Sequence, residues 1–143
     1  MAAFDQPALR VGVTRPVTDA LPHVLASLAA SGFHRSDRTA GSALVLKHGS
    51  YLGDVLLTAA PVGARLGPFG RLGWVTVDAD DDGITLSLVR NYQLAAAFRA
   101  AATRVVADLA AAGKLTDAGT FISAHDLPET APGNPATFRR LVG

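Results

Sequence analysis

Residues 74–90, WVTVDADDDGITLSLVR, place two alternating apolar runs on either side of an Asp-Gly pair, which is the pattern of an antiparallel β-hairpin. In the second run Ile84, Leu86 and Leu88 fall on one side and Thr85, Ser87 and Val89 on the other. One face is therefore expected to be core and the other solvent or a neighbouring element.

The turn also resembles half of a calcium loop. Asp78, Asp80 and Asp82 stand at the first, third and fifth positions of such a loop, Gly83 at the sixth, and the carbonyl of Ile84 at the seventh. The twelfth position, which needs a bidentate carboxylate, is Val89, and the ninth, where a hairpin variant would place one, is Leu86. Without a closing carboxylate the aspartates read as the soluble tip of a hairpin. Asp78, Asp80 and Asp82 stay as the one weak metal candidate, with no metal expected.

The rest of the chain is built around this hairpin. Leu9, Val11 and Val13 alternate with Arg10, Gly12 and Thr14, predicting a half-buried strand that stops before Pro16. Residues 18–32 predict an amphipathic helix, with Thr18 or Asp19 as cap, Leu21, Val24, Leu25 and Leu28 on one face, and Gly32 just past its end. Further strands are expected over 33–38, 43–48 and 54–60. A long alanine-rich helix follows from about Tyr92 to Ala112, capped by Asn91 and stopped by Gly113. Residues 119–124 predict a short strand, and Asn134-Pro135 starts a short terminal helix carrying Phe138, Arg139, Arg140 and Leu141.

Composition closes several routes. The absence of cysteine excludes disulfides, thiolate catalysis and cysteine-ligated metals. A net charge of +1 gives no global drive toward nucleic acid. Although 49% of the residues are hydrophobic, many are alanine, and Arg99, Arg104 and Asp108 interrupt the richest apolar stretch, so no membrane span is expected. The start, MAAFDQPALR, has an acid where a secretory signal carries basic residues, which predicts a cytoplasmic protein. No G-x-S-x-G, H-x-x-x-H or phosphate-loop spacing occurs. Ser123, His125 and Asp126 lie too close together in sequence to act as nucleophile, base and orienter.

The order β-α-β-β-β-β-α plus a C-terminal tail predicts an α+β fold, an antiparallel sheet of about five or six strands with two helices packed on one face. Residues 1–115 are expected to form a single domain, with 116–143 as an extension packed on or beside it. In topology the order loosely resembles the helix-grip lipid- and polyketide-binding domains. It departs from them in having fewer strands and in running on for about thirty residues past the long helix.

That resemblance implies a small-molecule binding domain, with a pocket for an apolar ligand between sheet and long helix. The glycine-rich stretch 63–74 would form a flap over it, and Arg65, Phe69, Arg71, Trp74 and Phe98 are the expected ligand contacts. The alternative is a cofactor-independent enzyme of cyclase or isomerase type in the same pocket, with His48, Tyr51 and Asp54 as its acid and base groups. A third reading is an interaction or homodimerisation module using the small residues of the long helix and the tail around Phe138 and Leu141. No cofactor is expected under any of the three.

Overall fold

A computed structural model describes residues 6–48, 73–90 and 92–142. The expected strand at 54–60 and most of the glycine-rich stretch lie outside the described residues. The hairpin forms as the sequence predicts, from β4 (Gly73–Ala79) and β5 (Gly83–Arg90), paired Val75↔Leu88 through Ala79↔Ile84. Upstream lie β1 (Pro7–Val13), α1 (Val17–Ala30), β2 (Phe33–Ala40) and β3 (Ala43–His48). Downstream, a single 3-10 turn at Tyr92–Leu94 leads into α2 (Ala95–Ala111), then β6 (Leu115–Asp117), β7 (Phe121–Ser123) and α3 (Pro135–Val142).

Among the described residues the sheet has seven strands, all antiparallel in their pairings, in the order β2-β3-β4-β5-β1-β6. The seventh, β7, pairs with β1 beside Pro7–Leu9, whereas β6 pairs with its far end at Gly12 and Val13. The fold is thus α+β, and its likeness to helix-grip domains stays loose, because the chain continues onto the opposite face of the sheet.

Helix ends follow local chemistry. Gly32 and Gly113 have φ of +93° and +69°, the left-handed conformation that ends a helix without a Cβ penalty. Helix α1 starts one or two residues before the expected caps, after Pro16, with no side-chain cap. Helix α2 starts at Ala95, the residues before it being drawn into the tighter 3-10 turn.

One face of the sheet packs against α1 and α2. Leu9, Val11, Phe33, Leu46, Val75, Val77, Leu86 and Leu88 meet Val24 and Leu28 of α1 and Phe98, Val105 and Leu109 of α2. Phe98 is fully buried, its ring edge-on to Phe33 at 6.5 Å between centroids. Most of the flap and three of the ligand contacts expected at a pocket on this side, Arg65, Phe69 and Arg71, lie outside the described residues.

The second face has its own, smaller layer: Ala40, Val45, Val89 and Phe138, with Trp74 and Val142 at its margin. Two irregularities shape it. In β5 the pairing steps from Val75↔Leu88 to Trp74↔Arg90, so Val89 and Arg90 together face one residue. Such a bulge turns two neighbouring side chains to the same side. In β2 the register slips between Arg35 and Thr39, where Ser36 Oγ donates to the carbonyl of Val45 at 2.9 Å and accepts from the backbone N–H of Arg38.

The tail is fixed to this face by hydrogen bonds. Ser87 Oγ, buried mid-sheet, donates to the carbonyl of Gly133 at 2.6 Å, and Thr137 Oγ1 to that of Glu129 at 2.7 Å. Asn134 caps α3 as its sequence suggests, its Oδ1 accepting from the N–H of Ala136 while its Nδ2 donates to the carbonyl of Leu127. Gly133 lies so close to the sheet that a Cβ there would meet Ser87 Cβ at 2.8 Å and Thr76 Oγ1 at 3.1 Å. Gly133→Ala is therefore expected to cost about 1–3 kcal/mol, as overpacked sites do. Hydrogen–deuterium exchange should show the loss of protection concentrated in α3, with α2 unchanged.

Candidate functional site

The fold distributes the sequence-derived candidates over separate places. His48 ends β3 on the α1/α2 side. Its ring packs against Phe33 at 4.9 Å, with Gly32 alongside. Tyr51, Asp54, Arg65, Phe69 and Arg71 lie outside the described residues. Trp74 and Phe98 do not share a site, since Phe98 belongs to the α1/α2 core and Trp74 to the layer on the opposite face.

Burial lowers the pKa of His48, and neighbouring His34 lowers it further. The ring is neutral at pH 7. An unfolded histidine takes its proton near 6.5, while the folded one resists until lower pH, so this residue withdraws stability as pH falls below about 6.5. The C2–H resonance of His48 should titrate below 6.5 in an NMR series. His48→Gln should flatten the stability profile between about pH 5 and 7.

At the acidic tip, Asp80 accepts the backbone N–H groups of Asp82 and Gly83, closing the turn on its own side chain. Arg10, reaching across from β1, donates to both carboxylate oxygens of Asp80 and to Asp82 at 3.1 Å. Its guanidinium lies over Gly83, where a Cβ would displace it. Asp78 turns away and accepts from Ser42 Oγ at 3.3 Å. The three aspartates therefore do not converge, and among the described residues no three His, Cys, Asp or Glu side chains are grouped to hold a metal ion.

The Arg10 hydrogen bonds hold Asp80 down to about 2 from 3.8. This contribution is present above about pH 4 and disappears as pH falls toward 2. Both partners are about half exposed, so screening keeps the pair below about 1 kcal/mol. Arg10→Gln is expected to return Asp80 to an ordinary carboxylate titration, with a small drop in thermal midpoint that shrinks in ~1 M salt. Calcium at about 1 mM should leave the wild-type midpoint where it is.

A concave site lies at the other end of the β4–β5 hairpin. It is a cleft of about 530 Å³ under α3, in the range of small-molecule sites. Val89, Pro135, Phe138 and Val142 supply apolar lining, and Arg38, Arg90, Arg139, Gln6, Tyr92 and His125 surround it. Each comes from a different local device. The β5 bulge delivers Val89 and Arg90 side by side, the β2 irregularity presents Arg38, and α3 contributes Phe138 and Arg139 from adjacent positions.

Two of these groups are held in place by neighbours. The Arg38 guanidinium stacks 5.4 Å from the centroid of Trp74, whose ring also has Lys47 Nζ at 5.8 Å. Gln6 Nε2 donates to the carbonyl of Leu88 at 3.3 Å, which leaves Gln6 Oε1 to accept from His125 Nε2 at 2.9 Å. With the amide so oriented, Nε2 of His125 is the donor of this pair. Ser123 serves His125 only as the cap of its 3-10 turn, its Oγ accepting the histidine N–H.

Sequence reasoning noticed Phe138, Arg139 and the dipeptide Asn134-Pro135 without connecting them to Arg38 and Arg90, far away in the chain. The signal that could have linked them is the face carrying Ser87 and Val89, too apolar and too small to face water. Compared with protein-family models, curated proteins and solved structures, the chain matches none. Among the described residues no helix is long and apolar enough to cross a membrane.

Proposed function

We propose that this protein is a small-molecule binding domain whose ligand seats in the cleft between α3 and the second face of the sheet. The observation that carries the reading is the cleft itself, about 530 Å³ of concave surface with an apolar floor of Val89, Phe138 and Val142 inside a polar rim. Its walls are preorganised, since Ser87 ties the loop before α3 to the sheet while Asn134 and Thr137 brace α3 against that loop. A ligand would meet surfaces already in position and would lose little affinity to ordering them.

Trp74, the only tryptophan of the chain, packs in the same layer as Val89, Phe138 and Val142, so it reports on this site. Native mass spectrometry of the purified protein should detect a bound small molecule, and readdition should shift Trp74 emission. Amide shifts in a 15N correlation spectrum should then centre on Val89, Arg90 and α3. Perturbations centred on α1 and α2 instead would place the ligand on the other side of the sheet and overturn the assignment of the cleft.

A further inference from the structure

We infer that the ligand of this cleft is a free amphipathic anion, one small molecule with an apolar body and a carboxylate or phosphate head; the inference rests on the cleft being a ligand site. Three of its lining residues, Arg38, Arg90 and Arg139, carry guanidiniums, and among the described residues no aspartate or glutamate lines it. All three are exposed. Among the described residues no ion pair engages any of the three. Glu129 lines the adjoining hollow, which shares His125 and Arg139 with the cleft.

This concentration of charge is local. The whole chain carries only +1, yet three arginines from three separate elements converge on one rim. Like charges gathered without counter-charge raise the potential of a cleft and favour an anion there. Guanidiniums are also the side chains best suited to grip a planar or tetrahedral oxyanion through paired N–H groups. Immediately inside them, Val89, Phe138 and Val142 offer nothing for a polar body to bond. Cationic rim plus apolar floor therefore matches a molecule with the opposite arrangement, charged at one end and hydrocarbon at the other. The concavity favours a single free molecule over a lipid surface, which would demand a protruding basic and apolar patch.

The test is a Trp74 fluorescence titration of the full chain with decanoate, decyl phosphate, decanol and decyltrimethylammonium, alongside sedimentation with vesicles of phosphatidylglycerol. Both anions are expected to bind at least about tenfold more tightly than decanol, and the cation not to compete. Arg90→Gln and, separately, Arg139→Gln should each reduce anion affinity by about tenfold while leaving decanol binding unchanged. The two sit on different elements, so a folding defect in one, seen by circular dichroism, leaves the other informative. Decanol binding as tightly as decanoate, or the cation binding better, would overturn the anion inference and leave the cleft as a ligand site. Cosedimentation with vesicles in the absence of monomer binding would overturn the free-molecule inference. If none of the four probes binds and no small molecule accompanies the purified protein, both the inference and the ligand-site reading fail.

Discussion

The antiparallel pairing of β1 with β5 governs the arrangement of the whole molecule. Five consecutive partners, from Ala8↔Ser87 to Gly12↔Gly83, bring the start of the described chain beside the last strand of the β2–β5 meander. That register sets Arg10 opposite Thr85 and next to the acidic tip, where it finds Asp80 and Asp82. It also leaves the other edge of β1 open for β6 and β7. Because those strands pair there, the chain leaves α2 on one side of the sheet and arrives at α3 on the other. Slipping the pairing by one residue would turn Leu9 and Val11 away from α2 and dissolve both the core and the route to the cleft.

The two faces of the sheet obtain their coverings by different physics. On the α1/α2 side, large aliphatic and aromatic groups interlock, each buried side chain contributing about 1.5–3 kcal/mol. On the α3 side the central positions are Thr76 and Ser87, both fully buried, and the attachment relies on close backbone approach and the one short hydrogen bond from Ser87 to Gly133, Thr76 Oγ1 having no partner among the described residues. The smaller apolar layer leaves a cleft beside Phe138, whereas the denser layer closes over Phe98.

Local patterns made much of the fold legible. Alternation located β1 and the β4–β5 hairpin, glycines past the helix ends marked Gly32 and Gly113, and Asn134-Pro135 announced α3, whereas the short β6 was not foreseen. The destination of the tail was not legible, because it depends on a bond between Ser87 and Gly133 that no periodicity records. The site was less legible still. Alternation left both faces open to His48, because its contact with Phe33 depends on how two strands meet. The cleft draws on residues from Gln6 to Val142, and two of its three arginines are aimed by irregularities in β2 and β5, departures from the alternation on which sequence reading relies.

The Val89–Arg90 bulge has an evolutionary corollary. In a regular ladder, neighbouring residues alternate between faces, so a floor residue and a rim residue cannot be adjacent in sequence; the extra residue lifts that restriction. Losing one codon there would leave Arg90 opposite Trp74 and remove Val89, keeping the charge while deleting the apolar floor beneath it. Related chains could thus change the shape of their cleft through strand length alone, and an alignment that treats a one-residue gap at this point as neutral would overlook the change with the greatest consequence for binding.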